Sequence, residues 1–188
     1  MKNFIQPYNP DWKIEFEKLK QIFNKELQDF EIEIQHVGST SITGLHAKPI
    51  LDIDIIINDK KQLGDIAGKL EKLGYISKGE QGISGRFAFR QSSKLTPSTG
   101  IFKNWQEHHL YVCFSDSLAL RNHLMFRDIL LQDHKLAEEY SQLKIDLANE
   151  KDMTREIYTE RKTDFILKVL AHNGLDKEEL DEIKNANV

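Results

Sequence analysis

The chain has one cysteine, Cys113, in 188 residues, so an intramolecular disulfide and a cysteine-rich zinc site are both excluded. A reducing compartment follows from the same scarcity. No apolar run approaches the ~20 residues that cross a bilayer, and the opening MKNFIQPYNP lacks the apolar stretch of a secretory leader. A cytoplasmic protein with no membrane partner is the expectation. Basic residues are not in excess either. Lys and Arg number 26 against 30 Asp and Glu, a net charge of -4, whereas a protein gripping nucleic acid through its phosphates is usually basic. With 39% apolar and 30% charged residues, the composition is that of a folded globular chain. No internal repeat or low-complexity tract occurs.

Hydrophobic periodicity organises what is present. Asn9 and Pro10 open a helix whose stripe is Trp12, Phe16, Leu19, Phe23 and Leu27. Strands are expected over Ile32–Val37 and Ile50–Ile57. Asn58-Asp59 then caps a helix striped by Leu63, Ile66, Leu70 and Leu73 and stopped at Gly74. Short strands near Tyr75–Ser77 and Arg86–Arg90 flank a glycine-rich hairpin, Gly79–Gly85. Residues 91–107 lack periodicity and read as a long loop. A strand from about His108 to Phe114 precedes a cap at Ser115/Asp116, and the pattern is helical from there, with Gly174 as a stop and Asp176 capping a tail helix. The expected fold is an α+β core, a mixed β-sheet with helices packed on one side. Residues 1–188 are read as a single unit, with its core at about 30–115 and a helical part at about 116–174.

The chemistry concentrates in His36-Val-Gly-Ser-Thr-Ser-Ile-Thr-Gly-Leu-His-Ala-Lys-Pro-Ile-Leu-Asp-Ile-Asp-Ile-Ile-Ile57. In the Ile50–Ile57 strand every residue is aliphatic except Asp52 and Asp54. Being two apart, they share a face, about 7 Å from each other. Such a strand is covered on both faces, and a carboxylate buried there without compensation costs several kcal/mol. A divalent cation is the simplest compensation, because hard Mg2+ prefers carboxylate oxygens with phosphate completing its shell. Ion pairing with Arg86 or Arg90 is the alternative. Gly38-Ser39 can start a helical turn whose free N–H groups and hydroxyl face an anion. Twelve residues separate Ser39 from Asp52, enough to return the chain to a neighbouring strand.

Gly-Ser, this spacer and Asp-x-Asp on an apolar strand resemble the signature of the nucleotidyltransferase superfamily. More closely, the segment resembles the GrpB family, whose members are nucleotidyltransferase-like. Leu124–Leu130, Leu136–Lys144 and Tyr158-x-x-x-Lys162-x-x-Phe165-Ile166 are similar to that family's C-terminal helices, so the likeness spans roughly residues 5–170. It implies a nucleotidyltransferase-like mixed sheet flanked by helices. It further implies that the Gly38-Ser39 turn lies beside the phosphates of a nucleoside triphosphate, and that catalytic Asp52 and Asp54 bind Mg2+ or Mn2+. Thr40 is counted with the turn as a nucleotide-binding candidate, and Lys48, before Pro49, either neutralises a phosphate or is a surface lysine. In active superfamily members a third carboxylate assists two metal ions in activating an acceptor hydroxyl and neutralising the leaving pyrophosphate. Here His109-Leu-Tyr111 stands where the family pattern has His-x-His. The strand carries no acid in its middle, and Glu107 lies only at its edge. A catalytically silent nucleotide-binding or regulatory module is therefore the second reading.

Arg86 and Arg90 share parity opposite Phe87 and Phe89, which turns both guanidiniums to one side for phosphate or for plain solvation. With His109, and with Arg127 and Lys144 from the helices, they complete the candidate substrate or phosphate contacts. His36 either meets a ligand or satisfies a core hydrogen bond. His108 and His109 point to opposite faces, and His46, His123, His134 and His172 show no metal-ligand spacing. Gly44-x-x-x-Lys48-Pro49 is not a phosphate-binding P-loop, which needs a second Gly before the Lys and a Ser or Thr after it.

Overall fold

The structure, a computed structural model, describes residues 5–100 and 102–186. Five strands form one mixed sheet in the order β1-β2-β5-β4-β3. In chain order the elements are α1 (Asp11–Glu26), β1 (Ile32–Val37), β2 (Leu51–Ile57), α2 (Leu63–Lys72), β3 (Tyr75–Gly79), β4 (Arg86–Gln91) and β5 (His108–Phe114). Four helices follow: α3 (Leu118–Gln132), α4 (His134–Asn149), α5 (Arg155–His172) and α6 (Lys177–Ala186). Only β2 and β5 run parallel; the other pairs are antiparallel. No helix among the described residues is long and apolar enough to cross a membrane.

Strand parity divides the sheet into two unlike faces. Ile53, Ile55 and Ile57 pair in register with Leu110, Val112 and Phe114, and Phe87 and Phe89 continue that row on β4. This face is buried under the Trp12, Phe16, Leu19, Phe23 stripe of α1 and under Ile66 and Leu70 of α2. At ~25 cal/mol per Å2 of apolar surface removed from water, this layer is the dominant favourable contribution to folding. The opposite face carries Asp52 and Asp54 beside His109 and Tyr111, with Arg86 and Arg90 beyond. There Ile56 and Cys113 pack against Leu120 of α3. Helices thus cover both faces, not one. The reason is that Ile56 and Cys113 make the acid-bearing side apolar enough to require its own cover.

Local capping moves some boundaries. Asn9 Oδ1 accepts from the Asp11 N–H at 3.0 Å, and the helix starts after Pro10. Asp59 caps a short 3-10 turn, Lys60–Gln62, that leads into α2. The cap of α3 is Ser117, whose Oγ accepts from Leu120 N, and not Ser115 or Asp116. Asp133 ends α3 and caps α4, so one expected helical tract becomes two helices.

Candidate functional site

The site is built on three supports: the turn after β1, the acid-bearing face of β2 and the helices α3 to α5. Gly38 has φ +68, a conformation that disfavours any side chain. A Cβ there would lie 2.2 Å from Asp52 Oδ2, so glycine is required by backbone and neighbour alike. The turn Ser39–Ser41 follows, closed by Ser41 N and Oγ donating to Gly38 O at 3.2 and 2.6 Å. Register then puts Val37 opposite Asp52 and Gln35 opposite Asp54, with the Gly-Ser turn at the Asp52 end.

The two acids are held differently. Asp52 is partly exposed, and its Oδ1 meets His109 Nδ1 at 2.9 Å. Asp54 is fully buried; its Oδ2 meets His123 Nδ1 at 2.8 Å and its Oδ1 has no hydrogen-bond partner. The Asp52 hydrogen bond raises the pKa of His109 against the effect of burial. Burial also opposes charge on His123, but Asp54 outweighs it and raises that pKa. From sequence His123 shows only that it lacks metal-ligand spacing, and no site role follows for it. Its only signal was placement one turn inside an expected helix, because its partner lies 69 residues earlier in the chain.

The helices bring amines to the turn. Lys144, 2% exposed, donates to Ser39 Oγ at 2.9 Å and to the His46 carbonyl, with its Nζ 4.6 Å from the Tyr140 ring centroid. Burial, then the neighbouring Lys162, lowers its pKa to about 7. Burial lowers that of Lys162 too, while Asp52 favours its charge. Lys48 Nζ lies 5.1 Å from the Tyr158 ring and opposes charge on His109. Asp52, Ser39 and three lysines therefore share one neighbourhood. Lys162 and Tyr158, four apart on α5, were legible only as a family-like helix.

Other expected residues lie elsewhere. Thr40 is buried, and its hydroxyl bonds His36 Nε2 at 3.0 Å, so it braces the turn from within. His36 stacks on Phe16 at 4.6 Å on the α1 side of the sheet, and burial lowers its pKa to about 4. Arg127 does not reach the acids: it binds Gln35 Oε1, the His36 carbonyl and Asp128. That geometry ties α3 to β1. Arg86 lies over Tyr111, 4.6 Å from its centroid, and Arg90 is exposed beside His109. Glu107 is exposed just ahead of β5, and the β5 positions facing the acids belong to His109 and Tyr111.

Among the described residues no group of three or more His, Cys, Asp and Glu could hold a metal ion. Two carboxylates, one with an orphaned Oδ1, are nevertheless of the chemistry that one Mg2+ would take if phosphate and water oxygens completed its shell. They do not fit a second ion held by a third acid.

A Gly-Ser turn against an acid pair on β2, an inner strand of this mixed sheet, belongs to a nucleotidyltransferase-like α+β fold. The chain belongs to the GrpB family, whose description, GrpB protein, matches residues 3–172. It is similar to the UPF0157 protein YqkA of Bacillus subtilis, 32% identical over 163 residues, covering 85% of this chain and 43% of that protein. It is also similar to the glutamate-rich protein GrpB of Alkalihalophilus pseudofirmus, 28% identical over 164 residues, covering 87% of this chain and 91% of that one. The chain thus spans less than half of the first relative and most of the second. Among solved structures, GrpB from Enterococcus faecalis superposes with a TM-score of 0.72 at 27% identity, over 96% of this chain and 98% of that one. A mutant of the Cid1 poly(U) polymerase bound to MgATP superposes with a TM-score of 0.62 at 16% identity, over 94% of this chain and 55% of that one. The latter is a likeness of fold.

Proposed function

We propose that this protein is a Mg2+-dependent nucleotidyltransferase that moves a nucleotidyl group from a nucleoside triphosphate to a small-molecule acceptor. The observation that carries the reading is the meeting of Gly38-Ser39, Asp52 and Lys144, whose Nζ is 2.9 Å from Ser39 Oγ. Ser39 and the turn's N–H groups would receive the triphosphate, and Lys48, Lys144 and Lys162 would balance its charge. A desolvated amine is well suited to this, since a phosphate oxygen replaces the water it lost. Asp52 and Asp54 would hold Mg2+ together with the nucleotide, and Mn2+ suits the same oxygens. Bound there, the ion would supply charge neutralisation to the triphosphate and the leaving pyrophosphate. His109 and His123 fix the two carboxylates in place through 2.9 and 2.8 Å contacts.

A second reading has its own observation: His109 and Tyr111 occupy the β5 positions beside the acids. A protein without the third acid that binds nucleotide but does not transfer it would look like this. Calorimetric titration with ATP and UTP, with Mg2+ and with chelator, on wild type and on Asp52→Asn/Asp54→Asn, tests the shared part. Metal-dependent affinity lost in the variant supports it, and equal affinity throughout overturns it. Incubation with labelled nucleotide and cell extract divides the readings: a labelled product supports transfer, and binding without one supports the silent module.

A further inference from the structure

Arg86 has not been accounted for. Its guanidinium carbon lies 4.6 Å from the Tyr111 ring centroid, a contact with the π face that gives its N–H donors no acceptor atom. Among the described residues the Arg86 guanidinium forms no ion pair or hydrogen bond, and its Nε is buried without a partner. Asp54, on the same face of the sheet, already holds His123. Buried donors are nearly always satisfied in folded proteins, and a cationic one most of all, so an unpartnered one marks a place for an acceptor that comes from outside.

A pocket lies at this place. It is lined by Arg86, Asn122, His123 and Ile83, and by Glu182 and Ile183 of α6. Its volume is about 60 Å3. That is room for a few waters or one small oxyanion. Its wall is fixed, because Ile183 is buried with Leu170 and Leu175 and so docks α6 on α5. That wall lies beyond the family match, which ends at residue 172. Glu182 is the one acid among the lining residues, and it weakens any anion's hold.

The geometry points to an oxyanion site in which Arg86 grips one carboxylate or phosphoryl group, with Glu182 on α6 setting how tightly. Through Tyr111 and His123 the site adjoins Asp54, with ring centroids 6.0 Å apart. If the transferase reading holds, on which this step rests, the bound group belongs to the acceptor, which is then an anionic small molecule anchored beside the acid pair. Arg86 is in this role a binding residue for the acceptor and not for the nucleotide.

The test follows the arginine Nε–Hε resonances by NMR while inorganic phosphate, and separately acetate, is titrated into the full chain without nucleotide. The Arg86 signal, identified by its loss in Arg86→Gln, is expected to shift saturably, while that of the exposed Arg161 does not. The probe that saturates at lower concentration identifies the group as phosphoryl or carboxylate. Glu182→Gln is expected to tighten binding about 2- to 5-fold, the effect of removing one repulsive surface charge. By calorimetry, Arg86→Gln weakens it at least tenfold while ATP affinity stays within about threefold. An Arg86 signal that moves no more than that of Arg161 overturns the inference, even if ATP binds normally. Saturable anion binding in a protein that fails to bind ATP keeps the pocket and removes only its assignment to an acceptor.

Discussion

Nucleotide binding at pH 8 is expected to draw close to one proton from solvent, and Lys144→Met to abolish that uptake. With its pKa lowered to about 7, the Lys144 amine is only about one-tenth charged at pH 8. A triphosphate on Ser39, 2.9 Å from Lys144 Nζ, restores the ordinary lysine preference for charge, so about 0.9 proton enters per nucleotide bound. Calorimetry reads this directly. In two buffers of different ionisation enthalpy, the apparent binding enthalpy should differ by about nine-tenths of the difference between the buffers. Losing one charge-assisted hydrogen bond, worth ~1.5–3 kcal/mol, should weaken binding in Lys144→Met by about 10- to 100-fold. An enthalpy independent of buffer, or wild-type affinity in the variant, would refute the reasoning that a desolvated amine waits for the phosphate.

The same amine sets a pH dependence of stability. Lys144 is charged in the unfolded chain up to its ordinary value of 10.5 but only up to about 7 when folded, so between those limits the unfolded state holds the extra proton. Stability should therefore rise from pH 7 toward pH 10, by up to about 1 kcal/mol per pH unit, and urea unfolding of Lys144→Met should lack that component. Gly38→Ala should cost about 1–3 kcal/mol in urea unfolding, because its positive φ with extended ψ is a conformation open essentially to glycine alone. Since its methyl meets Asp52 Oδ2 at 2.2 Å, it should also turn that carboxylate away and remove nucleotide binding; calorimetry showing wild-type affinity contradicts this. In NMR titrations His123 should titrate above 6.5 in the wild type and below it in Asp54→Asn, while His36 and His108 titrate near 4. A His123 unmoved by the substitution would mean that Asp54 does not hold it.

Periodicity made much of this arrangement legible. The α1 stripe, the shared face of Asp52 and Asp54, and the opposed faces of Arg86/Arg90 and Phe87/Phe89 all follow from counting residues by 3.6 or by 2. Contacts between distant segments were not legible. Nothing local to His123 indicates Asp54, and nothing local to Arg127 indicates that its guanidinium belongs to Gln35 and the His36 carbonyl. Thr40 illustrates a finer limit. Beside a phosphate-type turn its hydroxyl reads as a ligand donor, yet the reversal at Gly38 turns it inward onto His36. For a related reason the order of elements alone places helices on one side of the sheet, while the family likeness implies helices flanking it. The need for cover over the acid-bearing face lies in Ile56 and Cys113, which sit on different strands.

Electron paramagnetic resonance of Mn2+, with and without nucleoside triphosphate, tests the central claim most directly, since two carboxylates alone make a weak site and a nucleotide completes it. Tight Mn2+ binding is predicted only when protein and nucleotide are both present, and its loss is predicted in Asp52→Asn/Asp54→Asn. Mn2+ bound equally well by that variant, or a wild-type affinity no higher than that of the nucleotide alone, would contradict the claim.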